Sequence, residues 1–172
     1  MRLVGICGYS GSGKSIAAAA LRQDGFHVYP MAQVLKNMLR AFGLSEAQVC
    51  GDQKAVELDL LGGKTPRHAM QTLGTEWGRD LISHDVWLKA WWTKVKHIPA
   101  VVCDDVRFGN EAEFIRAQGG RIIKIHRPLG SGALPQHPSE QLAFRPDIEI
   151  VNVGTVPELE HKVRQALVNA GV

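Results

Sequence analysis

Apolar positions along this chain change between unbroken short runs and helically spaced sets, and that change outlines its elements. Residues 3–7 (LVGIC) form a short apolar run suited to a strand buried on both faces, and glycines follow at once. The Ala-rich stretch 14–22 predicts a helix. A second strand is expected at 26–29. A helix follows at 32–42, where Val34, Leu35, Met38, Leu39 and Phe42 recur at helical spacing before Gly43 stops it. Segment 45–61 reads as a helix weakened by Gly51 and a polar middle, and Gly62 and Gly63 break the chain. Thr65 as cap and Pro66 at the first helical position open a helix running to about residue 82. Ser83 and Asp85 offer caps for the next, through residue 96, with Val86, Ala90, Trp91 and Val95 on its apolar face. A β-branched run at 99–103 predicts a buried strand ending in Asp104 and Asp105. Beyond it come a helix at 110–118, a strand at 121–126, a Gly/Pro/Ser-rich loop at 129–144, a fifth strand at 147–151 and a closing helix at 156–169.

Strands that alternate with helices imply a parallel sheet covered on both faces, with ligands at the carboxyl ends of the strands. The expected architecture is therefore α/β, in three layers, around a five-stranded parallel sheet. With no linker in evidence, the 172 residues are read as one domain. Its core is 1–30, 97–128 and 146–172, with a helical insertion at 31–96 and a short lid at 129–145.

Gly8-Tyr9-Ser10-Gly11-Ser12-Gly13-Lys14-Ser15 satisfies GxxxxGK[ST] between an expected strand and an expected helix. At average glycine usage the pattern arises by chance in roughly one chain in a hundred of this size. Consecutive backbone N–H groups in such a loop make a concave anion site, reinforced by the positive end of the helix. As in other P-loop NTPases, Lys14 would span the β- and γ-phosphates and Ser15 would ligate Mg²⁺. The fold expected is thus that of a P-loop NTPase.

Two further constellations carry chemistry. Asp104 and Asp105, at the end of a strand expected beside the P-loop strand, are candidates for holding Mg²⁺ or orienting an acceptor, and Arg107 can clamp a phosphate with its planar fork. The competing reading is that both aspartates cap the following helix and Arg107 pairs with one of them. In KTPRHAMQTLGTEWGRD, residues 64–80, Gly74 and Gly78 interrupt an otherwise helical stretch at a cost of about 1 kcal/mol each, so something is expected to approach closely there. Arg67 and Gln71 share a face, and Trp77 follows as either a base-reading or a core aromatic.

Composition narrows the partners. A formal charge of +3 is spread without blocks of like charge, so small anionic ligands explain it without nucleic acid. The first apolar run is too short for a signal peptide or a membrane span. Cys7, Cys50 and Cys103 lack disulfide or zinc spacing, which favours a reducing cytoplasm.

The P-loop, Met31-Ala32 with Leu35-Lys36, TPRHAMQTLGTEWGRDLI, DVRFGNEAEFIRAQGG, His137 to Gln141 (HPSEQ) and Asn152 to Thr155 (NVGT) occur in one order across most of the chain. In this the chain resembles the phage-type deoxynucleoside monophosphate kinases. The resemblance implies ATP-dependent, Mg²⁺-assisted phosphorylation of a deoxynucleoside monophosphate in the cytoplasm, that of the host if the gene is a phage's. It implies an ATP site at Ser10, Gly11, Ser12, Gly13, Lys14, Ser15 and Ile16, with Asn152 and Gly154 by the adenine. Acceptor contacts would come from Lys36, Arg67, Gln71, Trp77, Asp105 and Arg107, metal contacts from Ser15, Asp104 and Asp105, and catalysis from Lys14, Arg107 and Arg127. The lid would act through His137, Ser139, Glu140 and Arg145, though it carries few arginines, which leaves open which one serves the transition state. A dephospho-CoA kinase, and a P-loop module that regulates or handles nucleic acid, remain alternatives, and dimerisation is open.

Overall fold

The computed structural model describes residues 1–128 and 142–172. These fall into two compact units, Met1–Pro30 with His97–Val172, and Met31–Lys96.

The first unit is built on a five-stranded, wholly parallel sheet in the order β2-β3-β1-β4-β5. The strands are β1 (Arg2–Cys7), β2 (His27–Val28), β3 (Ala100–Cys103), β4 (Arg121–His126) and β5 (Ile148–Val151). β1 lies in the middle between β3 and β4, so Leu3 through Cys7 are all buried. A strand covered on both faces needs apolar residues at every position, which is why its sequence shows no alternation. Val4, Ile6, Val102, Ile123 and Ile125 meet α1 (Lys14–Gln23) and α7 (Val156–Asn169) through Ala17, Leu21, Leu159 and Val163. Each such aliphatic side chain contributes roughly 1.5–3 kcal/mol when fully buried. The opposite face receives α6 (Gly109–Ala117). A Cβ at Gly5 would lie 2.6 Å from Ile122 Cδ1 and 2.9 Å from Ile115 Cδ1, so the glycine lets α6 seat closely on β1.

The five strands match expectation in number and order along the chain, and only β4 keeps both expected ends, the others shifting by one residue at one end or, in β2, at both. β2 is only two residues long, since Phe26 turns into the core under the Arg2 guanidinium, 4.5 Å above its ring. β5 starts at Ile148 because Asp147 is engaged otherwise. Its carboxylate accepts hydrogen bonds from Arg116 Nε (2.8 Å) and from the Ile122 amide (2.7 Å), and Arg116 also donates to the Arg145 carbonyl.

The second unit contains α2 (Gln33–Ala41), the single turn α3 (Glu46–Val49), α4 (Pro66–Thr72) and α5 (Val86–Val95). The helix expected over 45–61 is instead α3 followed by two 3₁₀ turns, Asp52–Ala55 and Asp59–Leu61. Gly51 folds directly onto Ala47, where a Cβ would lie 2.8 Å from the Ala47 Cα, and so the chain reverses there. Leu58 and Lys64 then bridge across Gly62 and Gly63. Leu39, Leu44 and Val49 form the local core.

Thr65 caps α4 by accepting from the His68 amide, with Pro66 at the start, as the sequence predicts. The helix runs on to Ile82 as the sequence predicts, but from Leu73 its backbone widens into a π-helix. Trp87 packs along this stretch. Its indole N–H donates to the Gly74 carbonyl at 2.7 Å, and its ring lies where a Gly78 side chain would be, 2.6 Å from an added Cβ. The group that comes close at Gly78 is therefore the protein's own tryptophan, whereas a Cβ at Gly74 would meet nothing nearer than Leu35 Cδ1 at 3.9 Å.

The two glycines should consequently respond in opposite ways to alanine. We expect Gly78→Ala to lower the free energy of unfolding by about 1–3 kcal/mol through overpacking against Trp87. Gly74→Ala should be neutral or stabilising, since alanine favours helical backbone. Urea denaturation of both variants tests this, and equal destabilisation would refute it.

Candidate active site

The loop between β1 and α1 takes its shape from three glycines in the left-handed region, Gly8 (φ +145°), Gly11 (+75°) and Gly13 (+107°), which L side chains rarely enter. Two of them also face close neighbours. A Cβ on Gly8 would collide with the Ile125 carbonyl of β4, and one on Gly13 would lie 2.7 Å from Asn152 Nδ2 and 2.9 Å from Leu159 Cδ2. Gly11, with nothing within 4 Å of an added Cβ, is on the outer, exposed side. The loop is thus wedged from behind by β4 and α7. Gly13 occupies the α1 cap and brings no side-chain bond to the first turn, whose amides and dipole suit an anion. Ser12 is buried and Ser15 exposed, while Ile16 packs against the core.

Lys14 Nζ donates to the carbonyls of Gly8 and Tyr9, each at 2.8 Å, so the ammonium is held over the loop. Burial pushes its pKa below the usual lysine value and the Arg107 guanidinium pushes it the same way, while Asp104, Cys7 and Asp105 pull it back. Two cations and two carboxylates therefore share one neighbourhood. Cys7, beside them, is no nucleophile at neutral pH, because burial raises its thiol to about 11.

Asp104 and Asp105 follow directly after β3, which neighbours β1, so the sheet order sets them alongside the loop. Asp105 Oδ1 accepts from the Cys103 thiol at 3.2 Å. The next helix is capped by Glu111, 3% exposed, which accepts from the amides of Arg107 (2.8 Å) and Phe108 (3.1 Å), and the Val106 amide donates to the Ile6 carbonyl of β1. Backbone bonds on either side thus fix the turn that carries Arg107, whose side chain is exposed.

Asn152 is buried, and its Nδ2 donates to the Ser12 carbonyl at 2.9 Å. Gly154 is exposed, and a Cβ there would run into the Glu158 carboxylate that caps Thr155. Arg127 is exposed just past β4, and Arg145 is exposed near the start of β5. His137, Ser139 and Glu140 lie outside the described residues. In the second unit Arg67 (exposed) and Gln71 (half-buried) sit one turn apart on α4 and Lys36 is half-buried on α2. Trp77 is not the core aromatic that one reading allowed. It is 40% exposed and leans on Trp87 with ring centroids 6.0 Å apart.

A profile of the deoxynucleotide monophosphate kinase family matches residues 62–163. A protein of Acanthamoeba polyphaga mimivirus, named as an inferred deoxynucleotide monophosphate kinase, is 35% identical over 192 residues, spanning 99% of this chain and 98% of its own. The chain belongs to the deoxynucleotide monophosphate kinase family. It is accordingly a phosphotransferase.

Solved structures agree on the kinase fold. Shikimate kinase from Aquifex aeolicus superposes with a TM-score of 0.55 at 16% identity, covering 99% of this chain and 98% of that one. A dephospho-CoA kinase from Campylobacter jejuni gives 0.52 at 13% identity, covering 98% and 97%. At such identities the likeness concerns architecture alone.

Two ties around these elements had no signal in the sequence. The Glu111 cap lacks the usual Ser or Thr at the capping position, which Phe108 occupies, so no capping-box pattern marks it. The Arg116–Asp147 tie joins positions far apart in the chain. We expect Glu111→Ala to lower the unfolding free energy by about 1–3 kcal/mol by leaving two amides without their acceptor. Chemical denaturation provides the measurement, and an unchanged midpoint and slope would contradict it.

Proposed function

We propose that this kinase transfers the γ-phosphoryl group of Mg-ATP to a deoxynucleoside monophosphate. The observation that carries the reading is the set Lys14, Arg107, Asp104 and Asp105 around a wedged glycine loop, inside a chain of this family. On this reading the amides of residues 10–16 and Lys14 hold the ATP phosphates, and Arg107 faces the acceptor phosphate. Arg67 and Lys36 add acceptor charge, Asp105 orients the acceptor, and Gln71 and Trp77 read its base. Arg127 and Arg145 are further phosphate ligands.

Among the described residues no group of three or more His, Cys, Asp or Glu is gathered as a metal cage. That donor set still fits Mg²⁺, which takes few protein oxygens and keeps phosphates and waters for the rest. Ser15 and Asp104, with Asp105 as the alternative carboxylate, are the residues that would hold it, and it would supply charge neutralisation on the transferring phosphates.

The chemistry asks little covalent work of the protein. An oxygen of the acceptor phosphate attacks in line, and no general base is needed because that phosphate is already mostly ionised near neutral pH. Lys14 and the arginines align the reactants and stabilise charge on the transferring phosphate. Free thiols at Cys7, Cys50 and Cys103 fit a reducing compartment such as the cytoplasm.

ADP release measured against deoxy- and ribonucleoside monophosphates, dephospho-CoA and no acceptor tests the reading. Turnover should need a nucleoside monophosphate and be fastest with a deoxy form, whereas release confined to dephospho-CoA or independent of acceptor would remove it. Lys14→Ala should lower kcat by roughly 10²–10³-fold with the fold retained, as judged by circular dichroism. Arg67→Ala should raise the acceptor KM roughly tenfold or more and leave that of ATP nearly unchanged. Equal effects on both substrates would dissociate Arg67 from the acceptor.

A further inference from the structure

We propose that Asn152 is a positioning residue for the phosphate loop, acting on the Ser12–Gly13 peptide rather than on the base of the nucleotide. The inference rests on the reading of that loop as the ATP site. Asn152 lies 140 positions from Ser12 in sequence, yet its Nδ2 donates to the Ser12 carbonyl at 2.9 Å and the residue is only 7% exposed. A buried amide needs such a partner, because leaving it unmatched costs about 1–3 kcal/mol.

The bond has a directional consequence. The Ser12 carbonyl and the Gly13 N–H belong to one planar trans peptide, so they point to opposite sides of it. Tethering the carbonyl inward to Asn152 turns the Gly13 N–H outward, toward the concave side where phosphate oxygens would sit. Without the tether, Gly13, already at φ +107° and without a Cβ to restrict it, lets this peptide rotate and aim its carbonyl, a negative dipole, at the anion instead.

Asn152 is itself anchored. Its backbone N–H donates to the His126 carbonyl at the end of β4, at 2.7 Å. Gly13 makes the room it needs, since a Cβ there would lie 2.7 Å from Nδ2. Glycine at the loop's end and asparagine past the last strand thus form one matched pair. With one side-chain N–H given to Ser12 and the residue only 7% exposed, Asn152 faces the loop rather than an open base pocket.

The test measures ADP affinity by calorimetry, and steady-state kinetics, from pH 5.5 to 8.5 for the wild type, Asn152→Ala and Asn152→Asp. Asn152→Ala should weaken ADP roughly tenfold at all pH values, in keeping with one lost buried hydrogen bond, and change the acceptor KM less than about twofold. In Asn152→Asp the carboxylate faces the Ser12 carbonyl, acceptor against acceptor, so ADP binding at pH 8 should fall at least as far. Burial raises a carboxyl's pKa, and once protonated the group can donate to Ser12. The aspartate variant alone should therefore recover toward wild type as the pH drops to about 5.5.

A pH profile for Asn152→Asp parallel to the wild type, or equal losses for ADP and acceptor in Asn152→Ala, would overturn the proposal. If the alanine variant does not fold, the pH response of the aspartate variant decides alone, judged against its own unfolding midpoint at each pH. Failure of the wild type itself to bind ADP is a separate result, one that would remove the nucleotide-site reading and this inference with it.

Discussion

No side chain can stand at Gly8, because its Cβ would enter the Ile125 carbonyl of the neighbouring strand. That constraint brings the turn after β1 hard against the end of β4, and the rest of the site is arranged around it. With β1 central in the sheet, β3 on its other side delivers Asp104 and Asp105 to the same end, and the Val106–Ile6 backbone bond holds the turn that follows. The loop is rigid at its back through β4, Asn152 and Leu159, and open at its front around Gly11. An anion site with that division offers fixed dipoles without having to reorganise them on binding.

Electrostatics in this corner are a compromise. Lys14 is partly desolvated and has Arg107 for a neighbour, which raises the cost of its charge, and the two aspartates reduce that cost. On the proposed reading a phosphate chain would satisfy both cations at once, and the carboxylates moderate their mutual repulsion in its absence.

The sheet and the loop were legible in the sequence for physical reasons. A central parallel strand must be apolar throughout, as at 3–7, and a loop that needs φ above zero at three places must spend glycine there. The site segments after β3 could be placed because a strand end next to the loop leaves few choices. What could not be read depended on contacts distant in sequence. Gly74 and Gly78 look like ligand-approach glycines until Trp87, on the following helix, is seen to fill the space beside Gly78 and to donate to the Gly74 carbonyl. Segment 45–61 carried helical residues but not the Gly51–Ala47 contact that breaks it up. The cap at Glu111 was hidden because phenylalanine stands where a hydroxyl usually does. Asn152 was singled out, but its partner Ser12 could not be named from spacing alone.

The second unit, Met31–Lys96, occupies the stretch of chain between β2 and β3, two strands paired side by side. In an ordinary α/β sheet that stretch is a single crossover helix whose sole duty is to return the chain to the other end of the sheet. Here the crossover has grown into a body with its own apolar centre at Leu39, Leu44 and Val49, and it carries Arg67, Gln71 and Trp77. Strand pairing needs only that the two ends of the excursion stay where they are. A descendant gene could therefore exchange the whole excursion and, if the acceptor is held there as proposed, change which acceptor is taken while inheriting β1 and its glycine loop unaltered.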